Sequence, residues 1–258
     1  MAQRWIAMTD LSLARLCAFS YIHLPRALTV QMPIKLPVLI RQLLESGQSE
    51  CAELDSDAIR LLHSLADTLE TAQLVLVGYM DEQFGSGFAA CAFRDRQGQS
   101  IIAMRGSESQ GPCASNIDWI DNVAAPFIGS RQYPDIEKFL SGYAAGPLLI
   151  TGHSKGGHNA LYGLAISSNI LARAVAFNAQ GFGWNQLSSA QKERLATRAV
   201  NYVTRGDLVG RLLSHPEKRI AVCDCPYLRS EDNGIEIAHR LGSLCFDPEG
   251  SLVFCVKS

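Results

Sequence analysis

The sequence predicts an α/β protein with a mostly parallel central sheet, helices on both faces and a helical N-terminal segment. Three observations carry this. From residue 147 onward, short apolar runs alternate with helix-length stretches: 147–151 (PLLIT), 156–168, 173–178 (RAVAFN), 187–196 and 199–204 (AVNYVT). Strand, helix, strand in repetition implies parallel pairing with helices packed on the sheet. Three β-rich runs precede them, and a helix-rich segment precedes those.

Residues 10–70 read as helical. Leu11, Leu13, Leu16, Cys17 and Phe19 form one apolar face, and Ile59, Leu62, Leu65 and Leu69 recur at three- to four-residue spacing. Pro25, Pro33 and Pro37 cut the stretch between them into short pieces. At residue 73 the texture changes to strand: 73–79 (QLVLVGY), 87–94 (GFAACAFR) and 100–105 (SIIAMR), the last two joined by the turn 95–98. That pattern predicts a hairpin or meander. A long loop, 106–131, and a helix at 133–145 lead into the alternating half, where Ala160, Leu161, Leu164 and Ala165 face the sheet. Further strands are expected at 219–223 and 251–256.

The 258 residues, 47% hydrophobic and 19% charged, can build one large core, so a single domain over 1–258 is expected, with 1–72 packed on it. A formal charge of -2 without a basic run argues against nucleic acid as a partner. No apolar stretch is long enough for a transmembrane helix. Arg4, Asp10 and Arg15 interrupt the N-terminal apolar residues before a secretory signal can form, so the cytoplasm is the default expectation. Signal-independent export would leave no trace that these rules read. The eight cysteines are scattered, Cys223 and Cys225 lack partners at metal-site spacing, and buried free thiols are expected rather than zinc.

Gly152-His153-Ser154-Lys155-Gly156-Gly157 lies at the junction of the 147–151 strand and the next helix. That is the context of a G-x-S-x-G nucleophile elbow, whose tight turn excludes side chains two residues before and after the serine. An α/β-hydrolase fold follows, with Ser154 as candidate nucleophile. A serine needs a base, and the base an orienting acid, in the chain order Ser, Asp/Glu, His. His239, the last histidine, is the first choice of base, with His215 in reserve; His158 runs away from the elbow, and the His153 side chain is expected to point elsewhere. Asp207, just past the 199–204 strand, is the candidate acid, with an N-cap as its alternative role and Asp224 and Asp247 as alternative acids. The backbone N–H groups of Lys155 and Ser107 are the candidate oxyanion donors.

Met104-Arg105-Gly106-Ser107 resembles the F-R-G-T/S segment of class 3 lipases, and G-H-S-K-G-G resembles the elbow of a bacterial branch of lipase-like α/β hydrolases. Segments 10–22, 118–122 and 201–213 resemble the corresponding stretches of the same group in order. His158-Asn159 depart from the branch pattern in what reads as a helix-surface change, and Arg240 stands where the branch often has Asp. The resemblance implies an acyl-ester hydrolase, a lipase or phospholipase, that needs no metal or cofactor. Loop 106–131 carries Trp119, Ile120 and Phe127 and is a candidate lid and substrate-binding surface for a lipid ester. Transient contact with a membrane surface is an expected partner interaction; no protein partner is indicated. A thioesterase or acyltransferase on the same scaffold, and a silent fold used for binding, are the alternatives.

Overall fold

The computed structural model describes residues 8–50, 52–82, 85–107, 129–222 and 238–254. Helices α1 (Asp10–Phe19), α2 (Arg26–Thr29), α3 (Leu36–Ser46), α4 (Ser56–Asp67) and α5 (Leu69–Ala72) form the N-terminal segment, with β1 (Ile34–Lys35) between α2 and α3. Their ends follow local chemistry. Thr9 caps α1 by accepting from Ser12 N–H, Asp55 caps α4 by accepting from Ala58 N–H, and α3 begins beside Pro37 and ends at Gly47 with φ 67°.

The sheet follows as β2 (Val75–Asp81), β3 (Ala89–Arg94), β4 (Ser100–Met104), β5 (Leu148–His153), β6 (Arg173–Phe177), β7 (Ala199–Thr204) and β8 (Lys218–Val222). Together with β1 they make an eight-stranded sheet in strict sequence order. β1 to β4 pair antiparallel, the expected meander with one extra edge strand. β4 to β8 pair parallel. Three helices, α6 (Tyr133–Tyr143), α7 (Lys155–Ile166) and α8 (Ser189–Arg198), lie between successive parallel strands. Right-handed crossovers that always step the same way put all three on one face.

The opposite face would then be bare, and the N-terminal helices cover it. Alternation along β3 and β4 shows the division: Cys91, Phe93, Ile101 and Ala103 pack with α1, α3 and α4. Ala90, Ala92, Ile102 and Met104 pack with α6 and α7. A strand buried on both faces reads as a continuous apolar run, which is how β3 and β4 appear in the sequence. Cys17 and Cys91 are buried free thiols, and burial pushes the Cys17 thiol up to about 12.

Two expectations are corrected. Residues 251–254 form only isolated bridges, Leu252 with Phe246 and Phe254 with Val222, rather than a further strand. His158 and Asn159 are not on a helix surface but 1% and 0% exposed, because α7 is enclosed by the sheet, α6 and the loop after β6. His158 Nδ1 lies 3.1 Å from the Gly181 carbonyl and its Nε2 2.9 Å from the Tyr133 hydroxyl. Asn159 donates to Gln132 Oε1 at 2.6 Å. Among the described residues no helix is long and apolar enough to cross a membrane.

Candidate active site

The carboxyl ends of the parallel strands assemble the site. β5 ends at His153 and α7 begins at Lys155, so Ser154 alone makes the turn, at φ 56° and ψ -123°. A positive φ at a non-glycine residue is strained, and such strain is held only where the surroundings over-determine it. Here Ser154 N–H donates to the Phe177 carbonyl at 2.9 Å, and its own carbonyl accepts from His158 N–H at 3.1 Å. A Cβ on Gly152 would lie 2.1 Å from the Gly156 carbonyl oxygen, and one on Gly156 would lie 2.1 Å from that of Met104. The hydroxyl therefore stands at the positive end of the α7 dipole, where developing negative charge is favoured.

Ser154 Oγ lies 2.8 Å from His239 Nε2, and His239 Nδ1 lies 2.9 Å from Asp207 Oδ1. With the carboxylate as acceptor, Nδ1 carries the proton and the Nε2 lone pair faces the serine hydroxyl. Asp207 is fully buried and also accepts from Val209 N–H at 2.9 Å and Gly210 N–H at 2.8 Å. The capping role and the orienting position coexist in one carboxylate. His215 is occupied elsewhere, with Nδ1 2.6 Å from Glu217 Oε1 and Nε2 2.9 Å from the Leu212 carbonyl. Asp247 accepts from Ser251 N–H at 2.8 Å, and Asp224 lies outside the described residues.

His239 stands in a helical turn just before the 3-10 turn Leu241–Ser243, and three strand ends hold its backbone. Its carbonyl is 2.6 Å from His153 Nε2, at the end of β5, and accepts from Asn178 Nδ2 at 3.1 Å, just past β6. The Ala238 carbonyl accepts from Asn178 Nδ2 at 3.2 Å and from the Thr204 hydroxyl at the end of β7. Asn178 itself sits at φ 49°. The His153 side chain, expected to point elsewhere, is thus a support for His239; its position beside Ser154 at the strand end was the available signal. Tyr21 lies on its other side, with the hydroxyl 3.2 Å from Nδ1.

Burial, then the neighbouring His239, lowers the His153 pKa from 6.5 to about 4. A histidine whose folded pKa is depressed contributes stability that is present above 6.5 and is lost as pH falls toward the folded value. The wild type is therefore expected to lose about 3 kcal/mol from this group between those limits. His153→Asn is expected to flatten that part of the curve, read from urea unfolding as a function of pH. An unchanged slope would contradict it.

Ser107 faces the same cavity as Ser154 and His239. The strand end that delivers it is anchored by Arg105, which is 3% exposed and donates to Asp81 Oδ1 at 3.0 Å. His23 Nδ1 is 2.6 Å from the other Asp81 oxygen. Burial pushes Asp81 up, but the His23 hydrogen bond and the Arg105 charge together bring it below its ordinary value. Gly106 is forced by proximity, since a Cβ there would lie 2.7 Å from the His153 carbonyl oxygen. Lys155, the other candidate donor, supplies the first residue of α7.

The cavity measures about 690 Å³ and is lined beside the site by Ala18 of α1, Tyr21 and Ile22 just beyond it, and Ala58 and Leu61 of α4, with Asp55, Asp57 and Arg240 as its charged lining. Sequence reasoning did not assign this wall to the N-terminal helices. Trp119, Ile120 and Phe127, the candidate substrate contacts, and most of the candidate lid lie outside the described residues. Among the described residues no cluster of His, Cys, Asp or Glu could hold a metal ion; Cys223 and Cys225 lie outside them.

A mostly parallel sheet with a strand-serine-helix elbow at its carboxyl edge defines the class: this is an α/β hydrolase in fold. The Mbeg1-like family matches residues 70–231, more than half of the sequence, and the chain belongs to it. Among solved structures, nonglycosylated LIP2 lipase from Yarrowia lipolytica is similar over 95% of this chain and 83% of its own, at 12% identity and a TM-score of 0.52. A mutant MDLA from Penicillium cyclopium is also similar, at 12% identity over 95% of this chain and 84% of its own, with a TM-score of 0.49. The likeness to the LIP2 lipase is one of fold. No curated protein is similar enough in sequence to count as a relative.

Proposed function

We propose that the protein is a serine hydrolase that cleaves carboxylic esters of lipids, a lipase or phospholipase. One observation carries the reading: the unbroken series from Ser154 Oγ through the His239 imidazole to the buried Asp207 carboxylate, with links of 2.8 and 2.9 Å. In this reading Ser154 attacks the ester carbonyl while His239 Nε2 takes its proton, and Asp207 stabilises the imidazolium. The backbone N–H groups of Lys155 and Ser107 meet the oxyanion. His239 then protonates the departing alcohol, and water, activated by the same imidazole, releases the acid. No metal or cofactor is needed. Apolar side chains of Ala18, Ile22, Ala58, Leu61 and Leu241 beside the serine favour an acyl chain over a polar substrate. Trp119, Ile120 and Phe127 would add to that surface from loop 106–131.

Labelling with an alkyl fluorophosphonate, read by intact mass, tests the reading. Wild type is expected to take a single adduct that Ser154→Ala and His239→Ala both lose. An adduct that survives Ser154→Ala overturns it.

A further inference from the structure

Directly after Asp207 the chain exposes apolar side chains that the proposed chemistry does not use. Leu208 is 50% exposed, Leu212 53% and Leu213 43%, and Trp184, two residues beyond Phe182, is 84% exposed. All four follow the carboxyl ends of β6 or β7, the edge of the sheet that carries Ser154. Backbone hydrogen bonds hold them there: Gly181 N–H donates to the Leu212 carbonyl at 3.0 Å, and Phe182 and Ser214 exchange bonds of 2.8 and 2.9 Å. The apolar display is therefore a property of the folded loop. Leu213 adds a second sign, because its φ of 73° is a conformation that suits Gly or Asn and strains leucine. Strain kept at a half-exposed apolar residue points to a role beyond packing within the chain.

The charges on this rim are basic. Arg205 and Arg211 are exposed, with Arg211 donating to the Arg205 carbonyl at 2.6 Å, and Lys192 reaches the Trp184 carbonyl at 3.3 Å. Leucines and a tryptophan set among cations, on a chain whose formal charge is -2, fit a bilayer with anionic headgroups: hydrocarbon accepts scattered leucines without shape matching, and tryptophan favours the headgroup region.

We propose that the rim formed by Trp184, Leu208, Leu212 and Leu213, with Arg205 and Arg211, docks the protein onto an anionic lipid bilayer and presents the Ser154 cleft to it. The inference rests on the lipid-ester reading. It also specifies a docking surface within residues 184–213.

The test is cosedimentation with vesicles of phosphatidylcholine alone or mixed with phosphatidylglycerol, in the Ser154→Ala background so that no lipid is consumed. The parent is expected to bind the mixed vesicles and Leu212→Ser to bind them roughly tenfold more weakly. Removing both arginines, Arg205→Gln with Arg211→Gln, is expected to cost about fivefold per charge on mixed vesicles and nothing on neutral ones. Leu213→Asn is expected to weaken binding while leaving the melting temperature equal or higher; a fall in melting temperature would show that the leucine packs within the fold and overturn its role. Equal binding by parent and Leu212→Ser overturns docking, as does a dimer that Leu212→Ser dissolves, since a second copy would then own the surface. Fluorophosphonate labelling of the same variants with Ser154 restored separates the two readings. Labelling without vesicle binding defeats docking alone, and vesicle binding without labelling defeats the hydrolase reading.

Discussion

Ser154→Ala is expected to lower kcat/KM for a soluble acyl ester by about 10⁶-fold, and His239→Ala by about as much. The double variant is expected to be no worse than either, because the two groups act as one device joined at 2.8 Å and removing either end leaves the other without function. Asp207→Asn should cost about 10⁴-fold. An amide there can present its NH₂ toward Nδ1 and so favour the wrong imidazole tautomer, while the shape of the site is kept. The measurement is initial rate on a nitrophenyl ester across the four variants, with melting temperature beside it. Losses that multiply in the double variant would mean that Ser154 and His239 work independently, and the proposed mechanism would fall.

Gly156→Ala is expected to be strongly destabilising for the addition of a single methyl. The added Cβ would sit 2.1 Å from the Met104 carbonyl oxygen and 2.6 Å from the Arg105 carbonyl carbon, both backbone. Neither can retreat without opening the β4–β5 pairing that runs from Ser100 opposite Leu148 to Met104 opposite Gly152. Overpacking usually costs about 1–3 kcal/mol, and a clash with backbone belongs at or above the top of that range. For a chain of this size that is a fall in melting temperature of about 6–12 °C, read by circular dichroism. Gly142→Ala in α6 is the control: nothing lies within 4 Å of its added Cβ, so helix propensity should dominate and stability should rise by about 0.5–1 kcal/mol. Equal effects at the two glycines would show that close approach does not explain the elbow.

The elements that sequence reading located are those whose cause is local. The elbow is six contiguous residues in which sterics demand glycine, and β3 and β4 announce themselves by uninterrupted apolar runs. Helix α8 is capped by its own residues, Ser188 and Gln191. β1 escaped notice because two residues, Ile34 and Lys35, are too short for a period to appear. The expected strand at 251–256 is reduced, over the described residues, to single bridges: Phe254 meets the β8 edge only at Val222, and Leu252 turns back to Phe246. His158 reads as surface in the sequence because helical position alone cannot say how many neighbours enclose a helix.

The sequence by itself determined the α/β class, the elbow around Ser154 and the placing of Asp207 at a strand end, because periodicity, glycine sterics and capping act over a few residues. Only the tertiary structure decided which histidine meets the serine, since His239 is 85 residues from Ser154 and 32 from Asp207. Its carbonyl is held by His153 and Asn178, and that of Ala238 by Asn178 and Thr204. Those three side chains are neighbours because β5, β6 and β7 lie side by side in the sheet. Tertiary structure likewise decided that α1 and α4 wall the cleft: three crossovers of one hand cover one face, and the apolar face left over is buried by the helices that come first in the chain.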